Sequence, residues 1–145
     1  MRWLLVLVLA VAGCKSGTRT TDTRSSSISS KPLKMAFFKD YLGSPTEPLD
    51  VEFHVLVHDN SGGLLSGTSD SDIRAAVKVK EDHVSKWAEG CTAARLEARP
   101  SWADALVSGR DGWDVSSVPD TYRCGREERV IHVHEGIIFR RVTTE

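Results

Sequence analysis

The clearest periodic signal in this chain runs from Val51 to His58. Val51, Phe53, Val55 and Val57 alternate with Glu52, His54, Leu56 and His58, and a period of two predicts a strand with one buried face. Asp59-Asn60-Ser61-Gly62-Gly63 stops it with turn residues. A second alternating run sets Ile73, Ala75, Val77 and Val79 against Arg74, Ala76, Lys78 and Lys80. Further on, Val130-Ile131-His132-Val133-His134 and Ile137-Ile138-Phe139 flank Glu135-Gly136, which predicts a hairpin with a two-residue turn. Helical spacing occurs three times. Ser30 and Pro32 open a helix carrying Leu33, Phe37, Phe38 and Tyr41, and Gly43 and Pro45 end it. Glu81-Asp82 open a short helix whose stripe is Val84, Trp87 and Ala88, with Gly90 as its stop. Ser101 to Asp104 loosely matches a capping box ahead of Ala105 and Leu106. Residues 92–99 are ambiguous and residues 110–127 read as irregular. Four strands and three helices without βαβ alternation predict an α+β fold: a small antiparallel sheet of about four strands, with helices packed mainly on one face.

The N-terminus has the layout of an export signal. Arg2 precedes an apolar run from Trp3 to Val11, and Val11-Ala12-Gly13-Cys14 closes it with small residues and a cysteine. Trp3 to Gly13 is 11 residues, against the roughly 20 that a membrane-spanning helix needs. Val11-Ala12-Gly13-Cys14 resembles the lipobox of bacterial lipoproteins. The resemblance covers residues 1–15 only. It implies cleavage before Cys14, removal of residues 1–13 as a signal peptide, and lipid on the Cys14 sulfur. It also implies a location in the cell envelope, anchored to the membrane through that lipid. Lys15 stands where an Asp would mark inner-membrane retention, which favours an outer-membrane protein facing the periplasm if the organism has two membranes.

Lys15 to Ser30 contains ten Ser/Thr in sixteen residues and one apolar side chain, Ile28. Such a segment buries too little surface to offset the entropy of ordering, so residues 14–30 are expected to be the lipidated cysteine and a flexible tether. Residues 31–145 then form one domain. Without residues 1–13 the chain loses one basic residue, Arg2, and no acid, leaving 18 Lys+Arg against 20 Asp+Glu, formally −2. That balance argues against a general nucleic-acid binder, which would show a basic face or stripe. With Cys14 assigned to lipid, Cys91 and Cys124 remain. In an oxidising compartment they are expected to form a disulfide. Neither lies in a CxxC pattern, which argues against redox catalysis.

Three sets of residues carry candidate chemistry. The Asp59–Asp72 stretch is long and Gly-rich, and loops of this length in compact domains are often functional. Asp59, Asn60, Asp70 and Asp72 are its candidate binding residues, although neither an EF-hand register nor a phosphate-loop motif is present. His54 and His58 share one face of the first strand, and His132 and His134 share one face of the hairpin. If those strands were neighbours, the four imidazoles would converge on Zn or Cu. The predicted turn, however, also sets His132 opposite Phe139, and aromatic pairing accounts for that histidine without a metal. Trp87, Trp102 and Trp113 read first as core. No GxSxG motif or other catalytic constellation stands out. The sequence therefore supports a lipid-anchored envelope protein with a non-catalytic binding domain of accessory, inhibitor or immunity type. It would have no cofactor, and its partner would be an envelope protein or cell-wall component. A small His-based metal-binding lipoprotein is the alternative, and a hydrolase the third choice.

Overall fold

A computed structural model describes residues 19–62, 67–95 and 99–144 of the 145-residue chain. Residues 1–18, which include the expected export signal and Cys14, lie outside the described residues. The strands are β1 (Arg19–Arg24), β2 (Asp50–Asp59), β3 (Asp70–Lys78), β4 (Thr92–Ala93), β5 (Asp120–Cys124), β6 (Glu127–His132) and β7 (Ile137–Thr144). The helices are α1 (Lys31–Tyr41) and α2 (Ser101–Val107), with 3-10 segments at Ser25–Ser27 and Glu81–Trp87. All pairings are antiparallel, and they form one seven-stranded sheet in the order β1-β2-β3-β7-β6-β5-β4.

This corrects the expectation of about four strands with helices mainly on one face. Neighbouring residues of a strand point to opposite faces, and here they enter different cores. Ala75, Ile131 and Ile138 belong to a cluster with Phe38, Val51, Val77 and Trp87. Ala76, Val130 and Phe139 belong to another, with Trp102, Ala103, Leu106 and Trp113. Thus α1 and the 3-10 helix at Glu81–Trp87 cover the first face, and α2 covers the second. The added strands came from segments with little apolar patterning. Residues 19–24, read as tether, pair from Arg19↔Asp59 to Arg24↔His54. They are almost wholly exposed, so backbone pairing rather than burial makes this strand. Residues 120–124, read as irregular, bridge β4 and β6.

Local signals explain the helix ends. The Ser30 hydroxyl accepts from the Leu33 N–H at 3.4 Å, and Pro32 lies in the first turn. The Leu42 and Gly43 amides both donate to the Phe38 carbonyl, with Gly43 at φ +67°. That left-handed residue closes α1 as a glycine does best. Cys91 and Cys124 form a disulfide across 33 residues. On the chain-entropy model such a loop contributes about 3–4 kcal/mol. It fixes the two-residue β4, which has few ladder bonds of its own.

β2 outruns β1 at its first residues, and a side chain fills the missing edge. Ser25 takes the place of a strand partner by accepting the Phe53 N–H at 3.1 Å, and its hydroxyl donates to Glu52. Glu52 is 4 % exposed. Its carboxylate also receives Lys34 Nζ of α1 at 2.7 Å and Arg110 Nη1, beyond α2, at 2.9 Å. On the first face, Glu127 accepts from Arg129 Nε at 2.5 Å and from Arg140 Nη2 at 2.7 Å. Both guanidinium groups lie over the Trp87 ring. Arg140 also donates to the Leu42 and Gly43 carbonyls, and burial pushes its pKa down.

The β6–β7 hairpin departs from the predicted two-residue turn. His132 pairs with Ile137 and Val130 with Phe139, so residues 133–136 form the connection. The register differs from the expected one by two residues, which leaves every side chain on its predicted face. The cause is tertiary. Gly136 accepts the Val79 N–H at 2.8 Å through its carbonyl, which seats the turn against the end of β3. Gly136 has φ +62°, and a Cβ placed on it would collide with the Val79 carbonyl oxygen. Gly136→Ala is therefore expected to lose more than about 2 kcal/mol of stability, measured by urea denaturation, whereas Gly125→Ala, with φ +65° but open space around it, loses less. Equal losses would show that only the backbone angle matters.

Candidate functional site

The second face of the sheet is covered by α2 over only part of its length. Beyond α2 lies a row of charged side chains on β1, β2, β3 and β7. Asp22 Oδ1 meets His54 Nε2 at 2.8 Å and Arg24 Nε at 3.3 Å. Asp72 receives Arg74 Nη2 at 2.5 Å, and Arg141 Nε and Nη2 at 3.0 Å each. The strand period generates this row: in Asp22-Thr23-Arg24 and Asp72-Ile73-Arg74 the acid and the base are two residues apart, hence on one face. Burial alone would raise the Asp72 carboxyl. The hydrogen bonds from Arg74 and Arg141 outweigh it and hold the group at about 2. The Arg24 hydrogen bond likewise holds Asp22 below the usual carboxylate range. The result is a solvent-facing patch of paired charges on adjacent strands.

The four loop candidates do not gather into one site. Asp59 Oδ1 accepts from the Ser61 N–H at 2.9 Å and the Ser69 hydroxyl at 3.2 Å. These bonds depress its pKa and organise the turn. Asn60 clamps the other side of the same turn, donating to the Thr68 carbonyl at 3.0 Å. Asp70 and Asp72 are part of β3, opposite His58 and Leu56. They share the second face, while Asp59, in step with Val57, is on the first. Residues 63–66 of this loop lie outside the described residues.

The four histidines also stay apart. His54 and His58 are four residues apart on β2, which is about 13 Å along a strand. β6 is three strand positions from β2, about 14 Å across the sheet. His134 lies exposed in the connection between β6 and β7. Each of the other three has a protein partner: His54 the Asp22 carboxylate, His58 the Thr20 hydroxyl at 3.0 Å, and His132 the Ser117 hydroxyl at 3.2 Å. Among the described residues no group of three or more His, Cys, Asp or Glu side chains is placed to hold a metal ion.

His132 belongs to a network that sequence reasoning missed. Glu135 accepts the Ser116 and Ser117 amides at 2.9 and 2.8 Å and the Ser117 hydroxyl at 2.5 Å. These bonds, the Ser117 hydroxyl foremost, lower its pKa to about 2. Because the Ser117 hydroxyl donates to Glu135, its oxygen accepts from His132 Nδ1–H. That leaves Nε2 buried without a partner. The ring packs edge-on to Phe139 at 5.9 Å, so the expected aromatic contact forms diagonally. Burial holds the His132 pKa below 6.5.

No family model, curated protein or solved structure matches this chain. No helix among the described residues is long and apolar enough to cross a membrane. Ion pairs with fixed partners suit recognition of a complementary surface.

The pKa directions set a pH profile. A histidine depressed in the folded state stabilises the protein above pH 6.5, and that contribution fades as pH falls below it. Asp72 and Glu135 add a second loss from about pH 4 down to their folded values of about 2. Urea denaturation is expected to show stability declining in both windows, and His132→Leu to flatten the upper one alone. An unchanged upper slope in that variant would assign the decline to another group.

Proposed function

We propose that this protein is a lipid-anchored cell-envelope protein whose folded domain binds a partner and performs no catalysis. The charged patch on the open half of the second face carries the binding reading. Its ion pairs are preorganised on adjacent strands, and it runs toward the end of the sheet where the β2–β3 loop emerges. The partner is an envelope protein or a cell-wall component with complementary charge, as for an accessory, inhibitor or immunity protein. The resemblance of Val11-Ala12-Gly13-Cys14 to a lipobox supports the anchoring, and a disulfide between Cys91 and Cys124 suits an oxidising compartment.

The start of β1 adds a geometric condition. Only residues 15–18 separate Cys14 from Arg19, a span of at most about 17 Å fully extended. On this reading the lipid holds the sheet close to the bilayer. The end where β1 begins and the β2–β3 loop emerges then faces the headgroups.

Two measurements test the proposal. Mass spectrometry of the native protein from membranes is expected to find no peptide containing Met1 and a lipid-modified Cys14. An unmodified Cys14 in an intact chain would end the anchoring reading. Replacing residues 61–69 by a two-residue turn is expected to preserve the melting temperature within a few degrees while abolishing partner capture from envelope extracts. Capture that survives the replacement would remove the β2–β3 end of the sheet from the binding surface.

A further inference from the structure

A groove of about 110 Å³ opens between the Ser25–Ser27 turn, the second face of the sheet and α2. Its walls carry Arg24, Arg74 and Arg110, with His54 and Ser26 beside them and Trp102 on the α2 side. No acidic side chain lines it. Each guanidinium is instead paired with a carboxylate that does not line the groove: Arg24 with Asp22, Arg74 with Asp72 and Arg110 with Glu52. Those contacts occupy Nε and Nη2 of Arg24 and Arg74, and Nη1 of Arg110. No hydrogen bond among the described residues engages Nη1 of Arg24 or Arg74, or Nε and Nη2 of Arg110. Lys34 and Arg141 share the same three carboxylates, so five fixed cations face three anions. Glu128, the carboxylate opposite Arg141, lies on β6, two strand positions from β3.

We propose that this groove is a binding site for a phosphate group. Guanidinium groups match phosphate oxygens through their free donors, here the Nε–Nη2 pair of Arg110 and the Nη1 of Arg24 and of Arg74. Three of them approaching from β1, β3 and the segment after α2 offer more donors than the two oxygens of a carboxylate accept in one plane. The paired carboxylates orient the guanidinium groups before the ligand arrives, which limits the entropy lost on binding. The volume admits a phosphate group and not a whole nucleotide. The occupant is therefore either the free ion or the terminal monoester of a larger molecule whose remainder lies outside, along Trp102. The site is independent of the lipid anchor.

Calorimetric titration of the soluble chain lacking residues 1–14 with inorganic phosphate at low ionic strength tests this, with tryptophan fluorescence as a second readout. Saturable one-to-one binding is expected. Arg24→Gln should weaken it about tenfold, the loss of a charge-assisted contact. The Arg24 side chain is 59 % exposed, so its replacement leaves the core intact. Ser26→Glu, at an exposed position on the groove wall, should weaken binding at least as much by placing an anion there, and it covers the case in which Arg24→Gln fails to fold. Arg126→Gln, outside the groove, should change nothing. Phenyl phosphate separates the two sources: tighter binding than inorganic phosphate identifies a monoester, and equal binding the free ion. The proposal is overturned if no saturable binding occurs, if acetate or chloride competes as well as phosphate, or if Arg126→Gln weakens binding as much as the groove variants.

Discussion

The buried carboxylate of Glu52 is the contact on which the rest of the arrangement depends. Two unlike parts of the fold meet there. On one side is the open beginning of β2, where the ladder has run out and a serine hydroxyl substitutes for the next strand. On the other are two cations from segments on either side of the sheet, Lys34 of α1 and Arg110 beyond α2. A buried carboxylate left without partners costs several kcal/mol, so this one is compatible with the fold only if the Ser25 turn, α1 and the end of α2 arrive together. The interaction specifies geometry more than it adds stability, since ion pairs taken out of water recover little beyond their desolvation cost. The second cluster, around Glu127, works in the same way on the first face, where two arginines share one acid and one tryptophan face and tie α1 to β6 and β7.

These two clusters also explain how a chain of this size supports cores on both sides of a sheet. Each core is small. The first is closed by aromatic and aliphatic side chains of α1 and the 3-10 helix, the second by the two turns of α2. Neither layer covers its face completely, and what α2 leaves open is polar: the row of Asp–Arg pairs from β1 to β7. The candidate binding surface is thus the remainder of an incomplete layer, kept rigid by the sheet beneath it.

Much of this could be read from the sequence, and what could not has identifiable causes. The alternation in β2 and β3, the Ser30 and Pro32 signals of α1 and the start of α2 at Ser101 all correspond to what the structure contains, because each leaves a local imprint. For the β6–β7 connection the sequence pattern predicts the wrong length but the right faces, since the Val79–Gly136 contact that sets its register joins residues 57 positions apart. β1 was illegible because an edge strand of threonines, arginines and an aspartate is stabilised by its neighbour's backbone and not by burial. Coverage of the second face did leave a trace: consecutive apolar residues at Val130-Ile131 and Ile137-Ile138-Phe139 are what a strand buried on both sides requires. In the candidate site, acid and base two residues apart at Asp22 and Arg24 and at Asp72 and Arg74 could have been recognised as same-face pairs once those segments were known to be strands. That His54 and His132 lie on strands with two others between them is topology, which no local pattern encodes.

The position of β1 has a practical consequence for handling this molecule. A recombinant fragment beginning at Lys31, the boundary that composition alone suggests, would lack both the outermost strand and the serine that seals Glu52. The six residues of β2 from His54 to Asp59 would then lose their partner strand and present a bare row of amides and carbonyls to solvent, the state in which sheet proteins exchange strands or pile into aggregates. Clipping by a protease anywhere between Arg19 and Ser25 would do the same to the native protein. The polar stretch that looks most dispensable is the hem that keeps the sheet from unravelling into its neighbours.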